Sequence, residues 1–114
     1  MAGTTREIAR AEWKGYFDDF SRELPDLRAT VEVAGREIGA QVEAENPRLT
    51  GITYDDGDDI VVIALDAPGE VLENVEHVVY HPQKIYVEEE DDVTVFDIED
   101  SEEQKTLVRL EPAP

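Results

Sequence analysis

Residues 27–45 read LRATVEVAGREIGAQVEAE, and their period decides the fold. Ala29, Val31 and Val33 alternate with Arg28, Thr30 and Glu32. Beyond Ala34-Gly35-Arg36, the residues Ile38, Ala40, Val42 and Ala44 alternate with Glu37, Gly39, Gln41, Glu43 and Glu45. Successive strand side chains point to opposite faces, so a period of two places one apolar and one wet face on each segment. A Gly-containing turn between them makes an antiparallel hairpin.

Upstream the period changes. Trp13, Tyr16, Phe17, Phe20 and Leu24 fall on one stripe of a helix, with Asp18, Asp19, Arg22 and Glu23 on the other faces. Thr4-Thr5-Arg6-Glu7 offers a capping box that would start this helix early. The alternative is a start near Ala9, after a short extended arm at Thr5–Ile8. Pro25 ends it. The aromatic stripe has the spacing of a core face packed on a sheet, which outweighs a ligand box.

Downstream, Asn46-Pro47 is expected to break the second strand, with a third at Leu49–Tyr54. Asp55-Asp56-Gly57-Asp58-Asp59 is expected as a tight hairpin turn with Gly57 at positive φ. The apolar run Ile60–Leu65 reads as a central strand covered on both faces. Val75–Tyr80, Lys84–Glu89, Val93–Ile98 and Thr106–Leu110 read as four more, separated by His81-Pro82-Gln83 and by the acidic turns Glu88–Asp92 and Asp100–Gln104.

The predicted fold is α+β: one N-terminal amphipathic helix packed on a curved, mainly antiparallel sheet of about eight short strands. A partly closed barrel plugged by the helix is the runner-up. The 114 residues form a single compact domain, with disordered ends at 1–4 and 111–114.

Charge bounds the partners. Asp and Glu number 29 against ten Lys and Arg, a formal net charge of -19. Such an excess repels itself in dilute buffer, and molar salt relieves it by shortening the Debye length to about 3 Å. Seven of the ten cations are Arg. Abundant carboxylate with scarce lysine fits a cytosol rich in potassium salt, so a halophilic archaeal source is expected. Direct nucleic-acid binding is disfavoured and not expected, because phosphate contacts need clustered cations and these are scattered. No apolar run approaches a membrane span, and the N-terminus lacks the apolar segment of a signal peptide. A soluble, cytoplasmic protein is expected.

Catalytic and cofactor sites are not expected. The chain has no cysteine, so no thiolate nucleophile and no zinc ribbon. Its two serines, Ser21 and Ser101, lie outside any nucleophile elbow. Its glycines are isolated, which excludes a phosphate-cradling loop. His77 and His81 have the four-residue spacing that chelates zinc from a helix, but here they lie on a strand leaving into a turn. Four strand residues span roughly 13 Å, too far to share an ion. An EF-hand with Gly57 at its sixth position would put Ile52 and Ile63 at ligand positions and is excluded. Weak, non-specific cation binding at Asp55, Asp56, Asp58 and Asp59 is the most that this turn predicts. Arg36, Lys84 and Arg109 are expected as ion-pair partners.

A resemblance covers nearly the whole chain in order. Its residues are Arg6-Glu7-Ile8, Trp13, Phe17 with Phe20-Ser21-Arg22, and Thr30-Val31-Glu32-Val33. They continue through Ile38–Ala44, Leu49 with Gly51-Ile52, His77 with Pro82, Ile85 and Val87-Glu88, and Thr106–Leu110. This pattern resembles a family of small prokaryotic domains of unknown function, seen in actinobacteria, other bacteria and haloarchaea. The resemblance implies an uncharacterised, non-enzymatic domain, with no reaction, cofactor or catalytic residue.

Two functional readings follow. One is a non-catalytic interaction or accessory protein that meets a protein partner. The other is a small-ligand-binding protein or cryptic enzyme with a pocket between helix and sheet, using Tyr16, Tyr54, Tyr80 or Tyr86 with a carboxylate. A filled helix–sheet interior favours the first and a deep polar pocket the second.

Overall fold

A computed structural model describes the backbone of residues 4–35, 39–66 and 74–113, and their side chains except at 35, 39–46, 74 and 75. The elements in order are β1 (Thr4–Ile8), a 3-10 turn (Arg10–Glu12), α1 (Trp13–Arg22), β2 (Leu27–Gly35) and β3 (Gly39–Asp55). There follow β4 (Ile60–Asp66), β5 (Asn74–Tyr80), β6 (Pro82–Glu90), β7 (Val93–Asp100) and β8 (Lys105–Pro112). One antiparallel sheet holds all eight strands in the order β1-β6-β7-β8-β2-β3-β4-β5. The expected α+β fold is therefore present.

The capping box at Thr4–Glu7 is not used. These residues form β1, paired with β6 from Thr4↔Glu89 to Ile8↔Ile85. Thr4 and residues 111–113, expected in frayed ends, are tied down. Leu27 and Arg28 pair with Pro112 and Glu111, and Ala113 N donates to the Asp26 carbonyl. Residues 1–3 and 114 lie outside the described residues.

Asn46-Pro47 does not end a strand, because β3 runs through it. Arg28 pairs with Arg48 and Thr30 with Glu45, so Asn46 and Pro47 together face Ala29. This is a bulge, the place where a strand tolerates a proline that has no N–H to give. There β3 exchanges its partner β2 for β4, which begins pairing at Arg48↔Asp66. Of the hairpin alternation, Ala29, Val31 and Val33 face the core. Residues 36–38 and the side chains of Ala40, Val42 and Ala44 lie outside the described residues.

β4 is not covered on both faces. Val61, Ile63 and Leu65 are buried, while Val62 and Ala64 are partly exposed. It lies next to the marginal strand β5 rather than at the centre. Its outward residues are apolar too, which hid the alternation.

The sheet wraps around α1. Phe96 on β7 meets Phe17 and Phe20 edge-on, each with centroids at 5.3 Å. At the other end of the helix, Trp13 meets Tyr54 on β3 at 5.1 Å. Strands β8 and β2 separate β7 from β3 in the sheet, so both contacts require strong curvature. Ser21 fastens the helix to β3: its hydroxyl donates to the Ile52 carbonyl at 2.7 Å and accepts from Ile52 N at 2.9 Å. These bonds fall beside the register shift between Leu49 and Gly51.

Curvature also brings β5 near β6, one strand in from the opposite margin. β5 and β6 stand at opposite sides of the strand order, yet only His81 separates them in sequence. His81 N donates to the Asp59 carbonyl at 2.9 Å, and Ser101 N donates to the His81 carbonyl at 3.1 Å. Among the described residues no ladder joins β5 to β1 or to β6, so the sheet is curled and remains open.

Candidate functional site

Three constellations carry polar chemistry. The first is the corner where the β3–β4 turn meets the β5–β6 junction. Asp59 and His81 both adopt left-handed backbone, with φ of 55° and 53°. Asp and His are among the few non-glycine residues that tolerate this region. The expected positive φ at Gly57 falls instead on Asp59. Tyr54 Oη donates to Asp59 Oδ1 at 2.8 Å, and Arg10 Nη1 approaches the same oxygen at 3.5 Å. His81 Nδ1 lies 3.4 Å from Asp59 Oδ2. The Tyr54 hydrogen bond, with His81 and Arg10, holds the Asp59 carboxyl below its ordinary pKa against the opposing effect of burial. Arg10 also donates to the Pro82 carbonyl at 2.8 Å and stacks 4.4 Å from the Trp13 ring, whose Nε1 donates to the Ile8 carbonyl at 2.8 Å. The corner is a clasp that joins the helix entry, the β3–β4 turn and the β5–β6 junction.

The second is a groove of about 510 Å3 beside that corner. Val33, Val79 and Thr106, all buried, floor it, and Asp100, Ser101, Glu102 and Gln104 wall one side. His77 and His81 both line it. His77 belongs to β5 and His81 follows it, as the sequence implies. Among the described residues, no three His, Asp or Glu side chains are grouped to hold a metal ion.

The third is the outer face of β6, β7 and β8. Phe96 and Ile98 point inward to the helix, so Val95, Asp97 and Glu99 point outward. Asp97 stands between Tyr86 and Leu107 across the strands, and Val95 between Glu88 and Arg109. These residues, with Thr5 and Glu99 but without Arg109, line an open depression of about 320 Å3. Asp97 Oδ1 is buried and has no hydrogen-bond partner. Asp97 Oδ2 lies 4.0 Å from Lys105 Nζ, which is 3.7 Å from Glu99 Oε2. Burial raises the Asp97 pKa, outweighing the lowering by Lys105.

The four aspartates of the β3–β4 turn do not act as a set. Asp55 Oδ1 accepts from Gly57 N and Asp58 N at 2.9 and 3.3 Å, forming the turn itself. Asp59 is engaged in the clasp, while Asp56 and Asp58 are exposed. Nor do the four tyrosines converge. Tyr54 is buried against Trp13, Tyr16 and Tyr86 are partly buried, and Tyr80 is exposed on β5. The space between helix and sheet is filled by Trp13, Phe17 and Phe96, each at most 1% exposed. Arg109 forms the expected ion pair, with Glu111 at 2.8 Å. Lys84 stands across from Glu99, and Arg36 lies outside the described residues.

Asp97 and the Asp59–His81 clasp were not singled out from sequence. The signal for Asp97 was a carboxylate flanked by Tyr86 and Leu107, and it needs the strand register to be read.

Comparison with known proteins gives kinship without an assigned activity. An uncharacterised protein of Aquifex aeolicus (strain VF5) is 39% identical over 110 residues, covering 96% of this chain and 94% of its own. No solved structure matches. Among the described residues, no helix is long and apolar enough to cross a membrane. A family profile matches residues 4–114, and the chain belongs to that family of unknown function, DUF5335.

Proposed function

We propose that this protein is a non-catalytic interaction domain, adapted to concentrated salt, that docks a protein partner on the outer face of β6, β7 and β8. The observation that carries the reading is the depression on that face and its apolar walls. Tyr86, Val95 and Leu107 are each partly exposed, stand around Asp97 in the strand register, and border one depression. A depression with apolar walls and a charged rim suits a protein interface. The filled helix–sheet interior supports the same reading over an internal ligand pocket.

Salt fits this choice of surface. At about 1 M salt the Debye length is about 3 Å, so the net charge of -19 no longer steers or repels partners at a distance. Apolar contact survives that screening, and the walls of this depression supply it.

The test is capture at native salt from the source cells, comparing wild type with Val95→Lys and Leu107→Lys. The reading expects one protein held by the wild type and lost by both variants, with unchanged melting. A partner retained by both variants contradicts it. A second reading, a small polar ligand, moves from the filled helix–sheet interior to the groove lined by His77, His81 and Asp100.

A further inference from the structure

We infer that the outer edge of β5 receives an extended segment of a partner protein, which joins the sheet beside β5 and carries basic side chains past Glu76 and Glu102. This surface is separate from the outer face of β6, β7 and β8 and goes beyond the docking proposed there.

The backbone of β5 comes first. β5 closes one end of the strand order and pairs with β4 alone among the described residues. Its ladder runs from Ile60↔Tyr80 to Asp66↔Asn74 without a register shift, and His81 N continues it by donating to the Asp59 carbonyl. Alternate residues of an antiparallel strand turn their N–H and C=O to the same side. Val79 and His77 therefore share the direction of the His81 N–H, towards β4. Tyr80, Val78 and Glu76 turn their backbone groups to the outer edge, where they have no ladder partner among the described residues.

Sheet margins normally carry a device against pairing, such as proline, lysine, a bulge or a very short strand. β5 has seven residues, Asn74–Tyr80, and none of these devices. Tyr80 is 64% exposed and Val78 is partly exposed. The opposite margin, β1, has five residues and carries exposed Arg6 and Glu7.

The groove of about 510 Å3 lies along this edge. The consecutive residues His77–His81 line it, so side chains from both faces of the strand border it, and the space runs past the edge rather than over one face. The Asp100–Gln104 turn forms the far wall, and the groove closes where Ser101 N donates to the His81 carbonyl. A row of main-chain donors and acceptors at period two suits a polypeptide backbone better than a small ligand. A second copy of this chain fits poorly, because its own β4 would follow one strand spacing, about 4.8 Å, behind its β5, towards that turn. Its net charge of -19 opposes it as well. A single extended segment has no sheet behind it. Val33 and Val79 offer its inward side chains an apolar floor, and the exposed carboxylates of Glu76 and Glu102 favour cations on its other side chains.

The probe is a capped Lys-Val-Thr-Val-Lys pentapeptide. Its fully N-methylated counterpart is the control, with the same side chains and charge but no main-chain donors. Each is titrated to millimolar concentration by amide NMR in about 0.2 M and about 2 M potassium chloride, which separates long-range attraction from contact. The inference expects saturable shifts at residues 76–80 in both salts, and at least roughly tenfold weaker binding of the methylated peptide. Hydrogen exchange at the Val78 and Tyr80 amides should be fast in the unbound protein and at least roughly tenfold slower with the peptide bound, whereas Val79 is protected in both. Val78→Pro removes an outward N–H and leaves the β4 ladder whole, so it should keep a dispersed spectrum and bind the peptide at least roughly tenfold more weakly. The exchange measurement on wild type stands independently of that variant. Undiminished binding of the methylated peptide would overturn the inference. So would the absence of shifts at residues 76–80, or shifts confined to the acidic turns and abolished by salt. Val78 and Tyr80 amides already protected in the unbound protein would overturn it too, and protection that grows with protein concentration would identify a second copy on the edge. The outer face is tested by capture with other variants, so each surface fails on its own.

Discussion

Replacing Phe17 by alanine tests the packing on which every other placement depends. Phe17 is 0% exposed and meets Phe96 at 5.3 Å and Tyr16 at 5.7 Å. Truncating a buried phenylalanine costs about 3–5 kcal/mol, from lost transfer energy and the cavity left behind. Of this, roughly 0.5–1.5 kcal/mol is the aromatic pairing itself. Helix propensity acts the other way, since alanine is the better helix former by a few tenths of a kcal/mol. A domain of this size has about 5–15 kcal/mol in total, so the variant loses a third or more of a typical stability. At about 4 °C per kcal/mol, Tm should fall by roughly 12–20 °C. The assay is thermal unfolding in concentrated salt, followed by circular dichroism and by fluorescence of the single tryptophan, Trp13. Phe17→Leu, which keeps most of the volume, should lose about 1.5 kcal/mol or less. Melting of Phe17→Ala within a degree or two of wild type would refute a helix buried in the curled sheet.

Ser21→Ala removes both bonds to Ile52 and leaves a strand N–H and carbonyl unmatched at the bulge, so unfolding in urea should show a loss of about 1–3 kcal/mol. Melting temperature should rise steadily from about 0.05 to 2 M potassium chloride, and neutralising the exposed Asp55, Asp56 and Asp58 to Asn should flatten that rise. A flat wild-type curve would remove the case for salt adaptation. Asp59 must be spared there because it holds the clasp. Its folded pKa is depressed, so its contribution is present above the unfolded value of about 3.9 and lost as pH falls through the lower folded value. Asp59→Asn should therefore destabilise at neutral pH and show a shallower acid limb in melting scans.

The aromatic stripe was legible because Trp13, Phe17 and Phe20 repeat at helical spacing whatever they pack against. The hairpin core positions Val31 and Val33 were legible through period two. The errors have one physical source: pairing partners far away in sequence. Thr4–Glu7 satisfies a capping box locally, but β6 offers five residues of ladder from eighty residues downstream. Pro47 reads as a break until Ala29 is seen facing two residues at once. Gly57 is the natural owner of a positive φ, yet Asp55 closes the turn and the left-handed residue becomes Asp59, held by its carboxylate. Asp97 reads as any outward aspartate. Its burial comes from Tyr86 and Leu107, which only the register brings beside it. The resemblance to a family of unknown function was also sound, and the Aquifex relative agrees with its bacterial occurrence.

The central claim is that the outer face of β6, β7 and β8 is a surface on which the half-buried Asp97 carboxylate is held at a cost to the fold. Its most direct test is the melting temperature of Asp97→Asn beside wild type, from pH 7 down towards pH 4. Burial raises the folded pKa of Asp97. Its favourable contribution is therefore complete only below the unfolded value of about 3.9, and it is lost as pH rises through the folded value. At neutral pH the ionised side chain destabilises the fold, so Asp97→Asn should melt higher than wild type. Acidification should close that gap as wild-type Asp97 takes up its proton. If Asp97→Asn melts lower at neutral pH, the carboxylate is a structural ion-pair partner of Lys105, and the claim that it is held at a cost to the fold is contradicted.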